Sequence, residues 1–131
     1  MKPLCPPGWP RPKGYSNAMA ATGRVIFTAG VAGWNEQEQF AEATLAGQFA
    51  QTLRNILAIL ACDGAGPENI ARLTCYVTSI EEYRASLREI GTAWRDIMGA
   101  HYPAMALVEV VRLVEPDAKV EIEATAVVPP A

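Results

Sequence analysis

The sequence predicts an α+β fold: a β-sheet with two helices packed on one of its faces, in the order β-β-α-β-α-β-β. Three observations carry this prediction. Two segments repeat apolar residues at three- and four-residue spacing, which marks a helix with one buried stripe. Shorter runs before, between and after them are rich in β-branched and aromatic residues, as strands are. The last of these runs alternates. Lys119, Glu121, Glu123 and Thr125 share one strand face, and Val120, Ile122, Ala124 and Ala126 share the other. Two helices cannot cover both faces of such a sheet. The apolar face is therefore expected to meet the helices, and the charged face to meet water or another subunit.

Taken in order, residues 1–14 carry prolines at positions 3, 6, 7, 10 and 12. Proline offers no donor to a β-ladder, so an irregular arm is expected here. The arm has no apolar h-region and is expected to be neither a signal peptide nor an anchor. YSNAMAA and RVIFTAG follow as two strands around Thr22-Gly23, a hairpin-like signal. The stretch Ala29-Gly30-Val31-Ala32-Gly33 is either a flexible turn or a place where backbone N–H groups approach a ligand closely.

From about 41 to 62, Leu45, Phe49, Leu53, Ile56, Leu57 and Leu60 form the first helix stripe. Asp63-Gly64 stops it, because Gly64 is free to take the left-handed cap conformation. Residues 71–78, ARLTCYVT, form the third strand. Ser79 caps the second helix, with Glu82 completing a capping box. That helix runs to about Met98, with Tyr83, Leu87, Ile90, Trp94 and Ile97 on its inner face. Strands at about 105–112 and 119–128 finish the fold, joined by a loop containing Glu115-Pro116-Asp117. No internal repeat or linker divides the chain, so residues 1–131 read as one domain.

A chain of 131 residues can bury about two-thirds of its unfolded surface. Half of the residues are hydrophobic and only 19% are charged, against roughly 25% in an average domain. That balance points to self-association, since an obligate interface resembles a core cut in half; a somewhat apolar monomer is the alternative. The net charge of −3 and the lack of any Lys/Arg run argue against nucleic acid and acidic membranes as partners. No stretch approaches the about 18 apolar residues of a spanning helix. Cys5, Cys62 and Cys75 lack CxxC spacing and His101 is the sole histidine. No metal and no other cofactor is therefore expected, and the thiols are expected to stay reduced, as in a cytoplasm.

GYSNAM, VIFTAG, QFAQTLRNILAIL, YPAMALVEVVRL and KVEIEATAVV, in this order from Gly14 onward, resemble the RidA/YjgF family of enamine/imine deaminases, also called L-PSP endoribonuclease-like. The resemblance implies the chorismate-mutase-like α+β fold, with a mixed sheet, and a homotrimer whose inter-subunit clefts hold a small-molecule ligand. It also implies roles for three residues. Glu121 matches the carboxylate that orients or activates a water, Tyr15 the pocket tyrosine, and Gly30 the glycine whose backbone lines the site. Four positions depart from the family pattern. The Pro-Ala-Arg-Ser motif, whose arginine grips a substrate carboxylate, is here Pro103-Ala104-Met105-Ala106. A guanidinium supplies paired donors and a charge, and a thioether supplies neither. Val31 stands where glutamine is frequent, and Arg88 where asparagine is usual.

Two functions fit these residues. As an enzyme, the protein hydrolyses an imine, enamine or related bond with Glu121 as acid–base and Tyr15 as hydrogen-bonding partner. Its substrate then lacks the usual carboxylate or presents it to Arg88, and Met105 favours a larger or aromatic compound. As a non-catalytic trimeric scaffold, it binds a metabolite or partner in a degenerate cleft, with Glu121 a solvated strand-face residue. Trp9 and Trp34 wall such a pocket or serve packing. Glu109 and Glu123 read as structural, paired with Arg112 or Lys119. Ribonuclease chemistry is disfavoured by the acidic charge and the single histidine.

Overall fold

The computed structural model describes residues 1–131. The chain runs through β1 (Lys2–Leu4), β2 (Ala18–Ala20), β3 (Arg24–Phe27), β4 (Val31–Ala32) and α1 (Leu45–Ala61). It continues through β5 (Ile70–Val77), α2 (Ile80–Ala85), α3 (Leu87–Met98), β6 (Ala104–Glu109) and β7 (Val120–Val128). Both the α+β class and the mixed sheet predicted from the sequence are present.

The alternating strand at the C-terminus organises the sheet. β7 pairs antiparallel with β3 on one side and β5 on the other, and β6 lies parallel beside β5. The main order is β3-β7-β5-β6, with the two-residue β4 also paired to β7. The parallel β5–β6 step requires a crossover, which α2 and α3 supply. Val120, Ile122, Ala124 and Ala126 are buried with Leu73, Cys75 and Val77 of β5. These face the α1 stripe of Leu45, Phe49, Leu53, Ile56 and Leu60, and Ile90, Trp94 and Met98 of α3. Burial pushes the Cys75 thiol up to about 12, which keeps it a neutral core residue.

The first helix is capped at both ends, and its Gly64 stop is the one predicted from the sequence. Thr44 accepts from the Gly47 N–H at 3.1 Å at the start of α1. At its end Gly64 takes φ +73°, and the Ala65 N–H closes on the Leu60 carbonyl at 3.0 Å.

Four expectations need correction. The segments flanking Thr22-Gly23 are strands but not a hairpin. β2 pairs with β1 while β3 pairs with β7, and Gly23 between them passes so close to the Val128 carbonyl that a Cβ would not fit. The proline-rich arm is not wholly irregular, since Lys2–Leu4 forms a strand against β2. In a two-stranded ribbon Pro3 has a free edge on which its missing donor is harmless. The second helix is two helices. Ser86 leaves helical geometry (φ −105°, ψ 10°) and its hydroxyl bonds back to the Glu82 carbonyl at 2.7 Å. Finally, Lys119 is not on the outer strand face. It precedes β7, and its ammonium reaches Glu82 at 2.9 Å.

That ion pair also rewrites the capping box. The Glu82 N–H bonds the Ser79 hydroxyl, but the Glu82 carboxylate accepts from the Leu45 N–H at 2.8 Å instead of turning back on its own helix. One side chain thereby ties α2 to the first turn of α1 and to the entry of β7. Gln48, buried on α1, completes the junction by donating to the Glu42 and Asp117 carbonyls and accepting from the Lys119 N–H at 2.7 Å.

Candidate functional site

The residues predicted to form one site fall into two groups on opposite faces of the sheet. On the helix-free outer face, Glu121 projects from β7 beside Tyr76 of β5 and Ala32 of β4. Its carboxylate lies against Gly30, where an added Cβ would overlap it. Glycine is needed there for space, and the result is a half-buried carboxylate next to exposed backbone. Two residues further on, Glu123 accepts from the Tyr76 hydroxyl at 2.9 Å. This bond holds the Tyr76 phenol above its ordinary range. Glu123 is thus engaged by a tyrosine and not by Arg112 or Lys119. Glu109 likewise has a structural role, accepting from the Ile80 N–H at 2.9 Å at the start of α2.

The second group faces the helices. Met105 pairs in register with buried Leu73, so its side chain points to the same side as the core. It lines a cleft of about 460 Å³ bounded by Tyr15, Tyr83, Trp94, Tyr102 and Leu107. Tyr15 reaches this cleft because the turn before it is stapled to the entry of β6. Gly14 takes φ +79°, the Ser16 N–H bonds the Pro103 carbonyl at 3.0 Å, and the Ser16 hydroxyl bonds the Tyr102 carbonyl at 2.5 Å. Tyr102 stacks on Trp94 with ring centroids 6.0 Å apart and planes 7° apart. Burial holds the Tyr83 phenol above its ordinary range, so the hydroxyl stays protonated.

The remaining candidates lie elsewhere. The Val31 side chain is buried in the core, which leaves only its backbone to any ligand. Trp34 packs on Phe40 with centroids 5.8 Å apart, and its carbonyl accepts from Asn55 at 2.8 Å. It does not line the Met105 cleft. Trp9 is exposed and borders a neighbouring depression shared with Tyr15 and Tyr102. Arg88 is exposed and also lies outside the cleft. The cations that do line it are Arg95 and Lys13, which sequence reasoning missed. The signal was present in the spacing of Leu87, Gly91 and Arg95, one helix turn apart and therefore on one side of α3.

No group of three His, Cys, Asp or Glu side chains is placed to hold a metal ion. His101 has its Nε2 within 2.7 Å of the Ile70 carbonyl. No helix is long and apolar enough to cross a membrane.

The family profile described as Endoribonuclease L-PSP matches residues 10–128. The chain belongs to this L-PSP/RidA family. The 2-iminobutanoate/2-iminopropanoate deaminase of Escherichia coli K12 is 33% identical over 105 residues, which is 80% of each chain. A RutC family protein of Synechocystis is 34% identical over 123 residues, covering 92% of this chain and 91% of its own. Among solved structures, the Rid-family protein YyfB of Yersinia pestis is 30% identical, with a TM-score of 0.83 over 97% of this chain and 98% of its own. The YjgF gene product of E. coli is 28% identical, with a TM-score of 0.70 over the same shares. The RidA/YjgF fold read from the sequence is therefore that of this chain.

Proposed function

We propose that the protein is a Rid-type deaminase that hydrolyses an imine or enamine, R₂C=NH + H₂O → R₂C=O + NH₃, in a cleft completed by a second copy of the chain within a homotrimer. One observation carries this reading. Tyr15 and Met105 share a cleft on the helix side, Gly30 and Glu121 share the opposite face, and one chain cannot bring the two halves together. Apposition of neighbouring subunits unites them. The exposed Val25, Phe27 and Val108 support such an apposition, since they leave the outer face apolar around its carboxylates.

In the united site Glu121 accepts a proton from a water as that water attacks the C=N carbon. The same carboxyl returns that proton to nitrogen, giving the carbinolamine R₂C(OH)NH₂, and then passes the hydroxyl proton to nitrogen as the C–N bond breaks, releasing ketone and ammonia. The Tyr15 hydroxyl holds the substrate by a hydrogen bond, and the backbone at Gly30 lines the carboxylate. Met105 gives the floor no charge, so the substrate differs from that of relatives with an arginine there.

Ketone and ammonia release from imines generated in situ tests this. Glu121→Gln should lower the rate by roughly 100- to 1000-fold, the loss of a positioned acid–base. Turnover of 2-iminopropanoate should be slower than that of bulkier apolar imines. Equal turnover by Glu121→Gln, or no ketone from any imine above the protein-free rate, would remove the deaminase reading and leave a binding scaffold.

A further inference from the structure

The Met105 cleft lacks a cation at its floor, but its mouth is cationic. Lys13 and Arg95 are the only charged residues lining it, and no carboxylate does. The chain's two ion pairs are Arg24–Asp63 and Lys119–Glu82, so neither cleft cation is neutralised by a carboxylate. Arg95 and Gly91 line the same wall of the cleft. Gly91, one turn earlier on α3, has no side chain, and its missing Cβ position is 3.6 Å from Arg95 Nη1. A Cβ there would make only an ordinary contact with the guanidinium, and a long side chain at 91 would extend over the cleft wall. Behind this mouth the lining is apolar and aromatic, with Trp94 buried, Tyr102 stacked on it, and Met105 and Leu107 packed against the core.

Resting on the deaminase reading of this cleft, we propose that Arg95 is its carboxylate-binding residue, with Lys13 as an auxiliary cation. The substrate class is then a 2-imino acid with an aromatic or branched apolar side chain. Chemistry and shape agree on this. A guanidinium with free donors fits a carboxylate bidentately. A cleft of about 460 Å³ is in the size range that encloses small organic ligands, which is roughly 300–1,000 Å³. A methionine floor accepts varied apolar shapes because the thioether chain is flexible and polarisable. Moving the cation from the floor to the mouth leaves the interior free for a side chain that an arginine at 105 would displace. Arg95 thus acts as a specificity-determining residue, and bond breaking is left to Glu121.

The test uses the full chain and two isosteric probes, 3-phenylpropanoate and its neutral amide 3-phenylpropanamide, bound to wild type, Arg95→Gln, Arg95→Lys and Gly91→Leu. Binding is followed by calorimetry and by tryptophan fluorescence. Arg95→Gln should weaken the carboxylate roughly tenfold or more and leave the amide unchanged, as loss of a charge-assisted pair requires. Arg95→Lys should recover part of the affinity, and Gly91→Leu should weaken both probes by filling the cleft. In turnover of 2-imino-3-phenylpropanoate, Arg95→Gln should raise KM with little change in kcat. Carboxylate binding unaffected by Arg95→Gln, equal weakening of acid and amide, or no binding of either probe to wild type would each overturn the proposal. If the binding pattern holds but no imine is hydrolysed, the deaminase reading fails and the carboxylate site stands. If imines are hydrolysed independently of Arg95, the reverse is true.

Discussion

The two faces of the sheet are built from the same strands and behave as different materials. On the helix side, Val120, Ile122 and Ala124 present only apolar side chains of β7 and meet a continuous core. On the outer side, the intervening Glu121, Glu123 and Thr125 stand with Tyr76, Thr74 and the uncovered Phe27. A side-chain period of two lets neighbouring residues of one strand serve opposite ends, so a single step along β7 passes from a residue fixed by packing to one available for chemistry. The proposed site uses both materials. Its apolar, cationic half borrows rigidity from the core, through Trp94 and Met105, and its acidic half sits on the uncovered face. An assembly that lays one chain's outer face against another's helix-side cleft makes use of the difference.

The comparison is broken most directly in β5. Leu73 is fully buried and Thr74, its neighbour, is on the outer face. Leu73→Ala should cost about 2–5 kcal/mol through lost burial and a residual cavity. Thr74→Ala should stay within about 1 kcal/mol. Urea unfolding midpoints at fixed protein concentration decide this, and similar losses at both positions would mean that the outer face is as tightly packed as the core.

A smaller effect is expected on the outer face itself. Phe27 is 76% exposed in the single chain, so Phe27→Asp should leave the chain folded. A buried aromatic anchor at a subunit interface typically contributes on the order of 2 kcal/mol or more. For the proposed homotrimer, the substitution should therefore move the light-scattering mass from three chains toward one at micromolar concentration. An unchanged mass would show that this part of the face does not carry the contact.

Much of this division was legible in the residues. The helix stripe of α1 and the alternation of β7 are local patterns with a local cause, burial on one side, and they held except at Lys119, which precedes β7, and Leu57, which is only partly buried. The failures were of pairing and direction. Nothing near Thr22-Gly23 reveals that β3 finds its partner a hundred residues later, and the Ser86 break depends on a hydroxyl's choice of carbonyl. Resemblance brought Glu121, Gly30, Tyr15 and Met105 forward together. Only the β5–β6 register shows that Met105 points to the helix side while Glu121 points away. Arg95 was overlooked for a related reason. A helix has a buried side and a wet side in sequence, and the strip between them becomes a cleft wall only once β6 and the Gly14–Ser16 turn lie beside it.

The smallest expected effect sharpens the comparison through pH, because each face carries one hydrogen-bonded titrating pair of opposite sign. At the helix-side junction, the Lys119 ammonium and then the Leu45 N–H hold the Glu82 carboxyl below the ordinary glutamate value of 4.5. A depressed folded-state value means a contribution fully present above the unfolded value and lost as the pH falls through the folded one. With both side chains partly in water, it is worth under about 1 kcal/mol. On the outer face, the bond to Glu123 first, and burial after it, hold the Tyr76 phenol above the ordinary tyrosine value of 10.0. A raised value gives the opposite sign: the contribution is complete below the unfolded value and lost as the pH rises through the folded one. Glu82→Gln should therefore flatten the acid limb of the stability profile and leave the alkaline limb alone. Glu123→Gln keeps an acceptor for the phenol but removes the charge, and should soften only the alkaline limb. Urea midpoints across both limbs provide the check. If either substitution flattened both limbs, the two faces would be electrostatically coupled through the sheet, and the separation of a packed face from a chemical one would not hold.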